Sequence, residues 1–357
     1  YDPTPRIAGM FEKTTWIKLP RNVLVGHGVL RDLPAAVEEL YLSGSPLLVT
    51  SPTPNDLVGD RVRDGFPDAE TVVIQTAGFD AVERVVVAAT AADSGYLVAL
   101  GGGKPIDTAK MASDRLGCGF VSVPTAASHD GIVSGRSSIP DGDTRHSVAA
   151  DPPLAVVADT EILAEAPWEL TTAGCADIIS NYTAVKDWQL AHRLKNVEYS
   201  EYAGALSQMT AEMLVESSSA IKPGFEESAW LVAKALVSSG VAMSIAGSSR
   251  PASGAEHLIS HQLDRLVPGK ALHGHQVGVA AIVTEYLHSG ERGEWADIRE
   301  ALEDLDAPTT ADELGIDGDT LLEAVTTAHT IRDRYTILGD GVSEDAAIEA
   351  ATFTGVV

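Results

Sequence analysis

Six short runs of branched aliphatic residues punctuate the first 165 residues of the chain, at 23–27, 46–50, 71–75, 96–100, 120–124 and 154–159. Helical patterns separate the earlier runs, over 29–42, 55–65 and 80–93. Runs as apolar as YLVAL and LAVVAD lack the alternation of a strand with one wet face, so they predict strands buried on both faces. Strands of that kind joined through helices make parallel βαβ units. The expectation is therefore an α/β, Rossmann-like nucleotide-binding domain over 1–165, built on a parallel sheet. Before the last run, GIVSGRSSI and RHSVAADPP flank the turn signal PDGD and predict a β-hairpin.

From about Pro167 the period changes. Stretches such as AGCADIISNYTAVKDWQLAHRL and SAWLVAKALVSSGVAMSIAG repeat their apolar residues at helical spacing. They predict an all-α second domain over 166–357. No internal repeat and no low-complexity linker separates the halves, so they should pack directly and leave a cleft between them.

Charge narrows the function. The chain carries 51 Asp and Glu against 25 Lys and Arg, a net −26. Such a surface repels nucleic acid and anionic membranes. The longest uninterrupted apolar runs fall short of the roughly 20 residues of a membrane helix, and no charged-then-apolar leader opens the sequence. A cytoplasmic protein with no nucleic-acid partner and no stable membrane insertion is the expectation. Cys118 and Cys175 are too few for a disulfide framework and predict small core residues. The acids are dispersed, a solvation pattern suited to high salt, which predicts a halophilic source. At 1 M salt the Debye length is about 3 Å, so repulsion between these carboxylates is screened. The melting temperature should climb as KCl is raised; a protein equally stable in dilute buffer would overturn this reading.

YLVALGGGKPIDTAKMAS runs from a strand through three glycines into a helix beginning near Pro105. Glycines let the backbone approach an anion, and a helix start offers free N–H groups, so the turn is a plausible pyrophosphate seat. It matches neither GxGxxG nor the Walker pattern, and three glycines also serve as a plain tight turn. Asp107 and Lys110 follow one turn in, either as contacts to a ribose or nicotinamide or as a surface pair. The next strand ends in SVPTAASHDGIVS, rich in hydroxyls and carrying His129 and Asp130. Strand C-termini of a parallel sheet are where ligands bind, so the two loops reinforce each other.

GAEHLISHQLDRLVPGKALHGHQ holds His257, His261, His273 and His275. His257 and His261 share one helix face if 255–265 is helical. A catalytic zinc takes three protein ligands and leaves one position open. The remaining ligand should be an acid from elsewhere, and Asp177 in GCADIISN stands in an apolar helical stretch where an unpaired carboxylate is costly. Core or surface histidines with a helix-capping Asp177 are the plainer alternative.

GGGKPIDTAK, SVPTAASHDGIVSG, AGCADIISN, SGAEHLISHQLD and LHGHQVGV, in this order and spacing, resemble the glycerol dehydrogenase and iron-containing alcohol dehydrogenase superfamily, with its dehydroquinate-synthase-like architecture. The likeness covers essentially the whole chain and is greatest to the archaeal branch that forms sn-glycerol 1-phosphate. It implies an NAD(P)-dependent oxidoreductase that reduces dihydroxyacetone phosphate with NAD(H) or NADP(H), assisted by one Zn2+ per chain, for archaeal ether-lipid synthesis. It implies metal ligands Asp177, His257 and His273, with His261 beside them on the substrate side. Gly101, Gly102, Gly103, Lys104, Pro105, Ile106 and Asp107 would line the dinucleotide with Thr125, Ala126, Ala127, Ser128 and Ser134. Asp130 and Asp177 would reach the substrate. Relatives often carry Glu at the position of His275, which puts a second imidazole beside His273. The loop after the second strand, VTSPTPND, lacks the acid that selects NAD(H), leaving NADP(H) open with Ser51, Thr53 and Asn55 near the adenosine. Arg250 is the first choice for the substrate phosphate, ahead of Lys186 and Arg136. A homo-oligomer is expected. The rivals are a polyol dehydrogenase acting on unphosphorylated glycerol, a lyase of dehydroquinate synthase type, and a non-catalytic metal or nucleotide binder. Iron or nickel suits the same ligands as zinc.

Overall fold

A computed structural model describes residues 15–141 and 144–357. The first half runs β1 (Asn22–Gly26), α1 (Leu33–Glu38), β2 (Pro46–Thr50), α2 (Pro52–Gly65), β3 (Glu70–Val73), α3 (Phe79–Ala91), β4 (Tyr96–Gly101), α4 (Gly103–Leu116), β5 (Gly119–Pro124), β6 (Arg136–Asp141), β7 (Thr144–Ala149) and β8 (Ala155–Asp159). Helices follow: α5 (Thr160–Glu165), α6 (Trp168–Ile179), α7 (Asn181–Lys195), α8 (Glu201–Ser217), α9 (Glu226–Ala246), α10 (Ala255–Leu266), α11 (His273–Ser289), α12 (Trp295–Asp304), α13 (Gly318–Thr327) and α14 (Glu344–Phe353).

Six strands form one parallel sheet in the order β1-β8-β5-β4-β2-β3. Their side chains alternate between two cores. Leu47, Val49, Leu97 and Ala99 face one, while Leu48, Val98 and Leu100 face the other. Burial on both faces explains why the runs read as continuously apolar. The larger core continues without a break through α6, α9, α10 and α11 to Val356. Burying each such side chain stabilises by about 1.5–3 kcal/mol, which seats the helical half firmly on the sheet.

The chain lays β3 outside β2, then returns β4 to the other side of β2. This reversal leaves a crevice beyond the carboxyl ends of β2 and β4, the usual ligand position in such sheets. Thr50 lies in register with Leu100, so Ser51 opens beside the glycine turn. The hairpin is present as β6 paired antiparallel with β7, while Gly142 and Asp143 of its PDGD turn lie outside the described residues.

Several boundaries differ from the sequence reading. The helix expected over 29–42 is cut to 33–38, because left-handed Gly28 opens a 3-10 turn over Val29–Asp32 and Tyr41 turns back at φ 54°. Helix α2 starts at Pro52 and α4 at Gly103, earlier than expected, since proline is well suited to a first turn that needs no N–H. Cys175 is a core residue, but Cys118 is only partly covered. Helix α9, 21 residues with mean hydropathy 1.6, is long and apolar enough by composition to cross a bilayer, contrary to the run-length argument. Its interspersed serines and glycine hid that length. Half of it is buried inside the fold, as in a core helix.

Candidate metal and nucleotide site

At the carboxyl end of the sheet a cleft of about 430 Å³ opens between the strand loops and the helical half. Gly103, Lys104, Asp107, Ser128, Asp130 and Ser134 line it from the sheet side, and Asp177, His257, His261 and His273 from the helices.

The glycine turn is shaped by two constraints. Gly101 has φ 142°, and a Cβ there would meet Pro105 Cγ at 2.5 Å, so only glycine lets β4 pass directly into α4. Thr125 N donates to Gly101 O at 3.1 Å and holds the hydroxyl-rich loop of Thr125, Ala126, Ala127 and Ser128 against the turn. Pro105 and Ile106 point into the protein and support the turn from below. Ser134 lines the cleft with a buried hydroxyl that has no hydrogen-bond partner, a donor left for a polar ligand. These features suit a dinucleotide. Ser51 precedes α2, and Asn55 Oδ1 accepts from Arg63 at 2.9 Å on the same side of the sheet.

Asp107 and Lys110 are not a surface pair. Lys110 is fully buried and Asp107 is 4% exposed. Lys110 Nζ donates to Gly131 O at 2.7 Å and to Arg136 O at 2.5 Å, and lies 3.4 Å from Asp107 Oδ1. Asp107 also accepts from Ser138 N at 3.2 Å. Burial pushes the Lys110 ammonium below its ordinary pKa, against the pull of Asp107. The pair ties α4 to the Asp130 loop and to the hairpin.

The metal group draws on three helices. Residues Thr171–Ile179 of α6 are all buried, and Asp177 is the charged one among them. Helix α10 starts where Asp187 Oδ2 accepts from Ala255 N at 2.7 Å, and it carries His257 and His261 one turn apart. Helix α11 opens with His273 and buries every residue from Gly274 to Tyr286. A Cβ on Gly274 would lie 1.9 Å from Ala173 O, so glycine is what lets α11 approach α6 closely enough to bring His273 to Asp177. One ligand atom from each of Asp177, His257 and His273 lies within 4.8 Å of the others.

The surroundings fix which atoms face the shared point. His257 Nδ1 meets Glu256 Oε1 at 3.0 Å and donates there, which turns Nε2 toward Asp177 Oδ1, 3.5 Å away. Ser260 donates to Gln276 Oε1 at 2.7 Å and therefore accepts from His273 Nδ1 at 2.9 Å, which puts the His273 proton on that nitrogen. Outer hydrogen bonds of this kind orient metal-binding imidazoles. The charge balance asks for a cation. Burial opposes protonation of His257, yet Asp177 and Glu256 outweigh it and raise its pKa to about 9. Burial and the neighbouring Asp177 raise Asp130 to about 7, although Ser239 donates to its carboxylate at 2.8 Å. The donor set thus fits a divalent ion bound by two imidazoles and one carboxylate.

The remaining candidates sort by position. His261 lines the cleft, its ring 5.8 Å from that of His273, and it is outside the ligand group. His275 turns away: its Nε2 meets Thr172 Oγ1 at 2.8 Å, and burial lowers its pKa to about 4. Asp130 N donates to Asp177 Oδ2 at 3.1 Å, so the loop and the ligand helix are joined. Arg250, the first choice for a phosphate, does not line the cleft, because its 3-10 turn presents Ser249 and Ala252 there instead. Lys186 is committed elsewhere, to Glu285 at 2.6 Å and Glu294 at 3.0 Å. Arg136 does line the cleft, together with Arg332, which sequence reasoning missed. Nothing in IRDRY marks Arg332, since its place depends on Ser253, 79 residues upstream.

Residues 24–167 match the family model described as iron-containing alcohol dehydrogenase. The chain is 80% identical over 347 residues to glycerol-1-phosphate dehydrogenase (NAD(P)+) of Haloquadratum walsbyi, covering 97% of this chain and 100% of that protein. It is 52% identical over 347 residues to the enzyme of the same name from Methanosarcina mazei, covering 96% and 97%. Among solved structures, a probable glycerol dehydrogenase from Sinorhizobium meliloti 1021 superposes with a TM-score of 0.80 at 20% identity, covering 96% of this chain and 100% of that one. The last likeness concerns the fold alone. With a relative this similar matched end to end, the chain belongs to the glycerol-1-phosphate dehydrogenase family.

Proposed function

We infer that this chain reduces dihydroxyacetone phosphate to sn-glycerol 1-phosphate with NAD(P)H, for archaeal membrane ether-lipid synthesis. The observation that carries the reading is the opening of the glycine turn and the Asp177, His257 and His273 group into one cleft. When bound, a divalent metal, zinc by preference, supplies Lewis-acid polarisation of a carbonyl, and reduced nicotinamide supplies hydride.

The residues of the chain do the positioning. Asp177, His257 and His273 hold the metal, while Glu256 and Ser260 fix the two imidazoles. The glycine turn and the Thr125 to Ser128 loop hold the dinucleotide, with Ser134 offering its hydroxyl. Asp130, anchored by Ser239, faces the substrate, and His261 is the imidazole placed to hold the proton destined for the new alcohol. The 1–165 and 166–357 halves act as nucleotide and metal domains. We assign the protein to the cytoplasm as a homo-oligomer without stable membrane insertion.

The test is NAD(P)H absorbance with dihydroxyacetone phosphate at high KCl, with the stereochemistry of the product determined. Rapid oxidation yielding sn-glycerol 1-phosphate is expected, far faster than with dihydroxyacetone. Equal rates with the two substrates would favour a polyol dehydrogenase, and absence of net cofactor oxidation would favour a lyase.

A further inference from the structure

Arg136, Arg250, Arg332 and Arg334 gather beside the cleft. Burial, then repulsion from Arg136 and Arg250, weakens the hold of Arg332 on its proton. Arg334 is pushed the same way by burial and by Arg332, Arg250 and Arg136. Among the described residues, none of these four guanidinium groups makes an ion pair with a carboxylate. In a chain with twice as many acids as bases, that is a costly arrangement unless an anion completes it.

The hydrogen bonds show where the anion would sit. Arg334 is tied down, Nη1 to Ser253 O and Nη2 to Ser249 Oγ at 2.8 Å. Arg332 spends one nitrogen, Nη2, on Ser253 Oγ at 2.8 Å. Its Nε is buried without a partner, and so is Nε of Arg136. These two side chains, and not Arg250 or Arg334, line the cleft that holds the metal ligands. Ser253 lies just before α10, so Arg332 is fastened to the segment that leads into His257. Unpaired arginine forks are suited to a phosphate, which accepts several charge-assisted hydrogen bonds at once.

We propose that Arg332 and Arg136 seat the phosphate of the substrate, with Arg334 and Arg250 keeping the local field positive behind them. This rests on the reading of dihydroxyacetone phosphate as substrate. The pyrophosphate of the cofactor is the other candidate anion, and the glycine turn at the start of α4 already provides for it. The arrangement also explains how a dianion enters a protein of net charge −26.

The test uses the full-length metal-loaded protein, Arg332→Gln, Arg332→Lys and Arg136→Gln, and inorganic phosphate as probe. For each, kcat/KM is measured with dihydroxyacetone phosphate and with dihydroxyacetone. The preference for the phosphorylated substrate should fall about 10- to 100-fold in Arg332→Gln, the worth of one charge-assisted hydrogen bond. Arg332→Lys keeps the charge but loses the fork and should fall between wild type and Gln. Phosphate should inhibit wild type competitively with dihydroxyacetone phosphate and not with NADPH, and less well in the variants. Should Arg332→Gln fail to fold, Arg332→Lys and Arg136→Gln carry the test by the same ratio. An unchanged ratio in the folded variants, or inhibition competitive with NADPH alone, overturns the proposal. A wild type with no preference for the phosphorylated substrate overturns the functional reading instead.

Discussion

Replacing His273 with Ala should leave the purified protein without its stoichiometric metal and lower kcat/KM by about a thousandfold or more, since Lewis-acid polarisation is worth several kcal/mol and each 1.36 kcal/mol is tenfold in rate. The expectation follows from geometry. His273 supplies one of three ligand atoms gathered within 4.8 Å, and the neighbouring imidazole of His275 is engaged with Thr172 of α6. Metal content by emission spectroscopy, read beside activity, separates the two histidines. A His273→Ala protein that kept one metal per chain would mean that His275 can swing in, and the double substitution His273→Ala, His275→Ala would then be the one that empties the site.

Lys110→Met should be the most destabilising single change in the nucleotide half. It removes a buried cation from Asp107 and leaves the carbonyls of Gly131 and Arg136 without their donor. Breaking a buried pair from one side costs about 3–5 kcal/mol. For a chain of this size that corresponds to a melting temperature roughly 4–7 °C lower. Calorimetry at fixed high KCl measures it; a shift within about 2 °C would mean that Ser137 and Ser138 alone satisfy Asp107 and that the ammonium contributes little.

The strands were legible because burial on both faces leaves a clear mark, a run such as PLLVT with every position buried and no charged residue. Helix ends were less so, since Gly28 and Tyr41 adopt left-handed backbone that trims α1, and nothing in hydrophobic spacing reports backbone handedness. Of the site, the spacing of His257 and His261 and the misplaced acid at Asp177 were visible locally. Lys110 and Arg332 were not. A lysine three residues after an aspartate is an ordinary surface pair in most helices, and an arginine in IRDRY reads as surface charge. Their roles arise only when the hairpin closes over α4 and when the segment after α13 folds back on Ser253.

The contact of Gly274 with Ala173 bears on the order in which this protein is made. Asp177, His257 and His273 ride on helices that meet through tertiary packing, and no two of them are neighbours in the extended chain. A nascent chain therefore offers no preformed trap for a metal, and capture must follow the collapse of α6, α10 and α11. Since the core that drives this collapse is aliphatic, a cell short of metal would accumulate finished but idle protein. Metal supply would then set how much of the protein is active, without degradation or resynthesis of the chain.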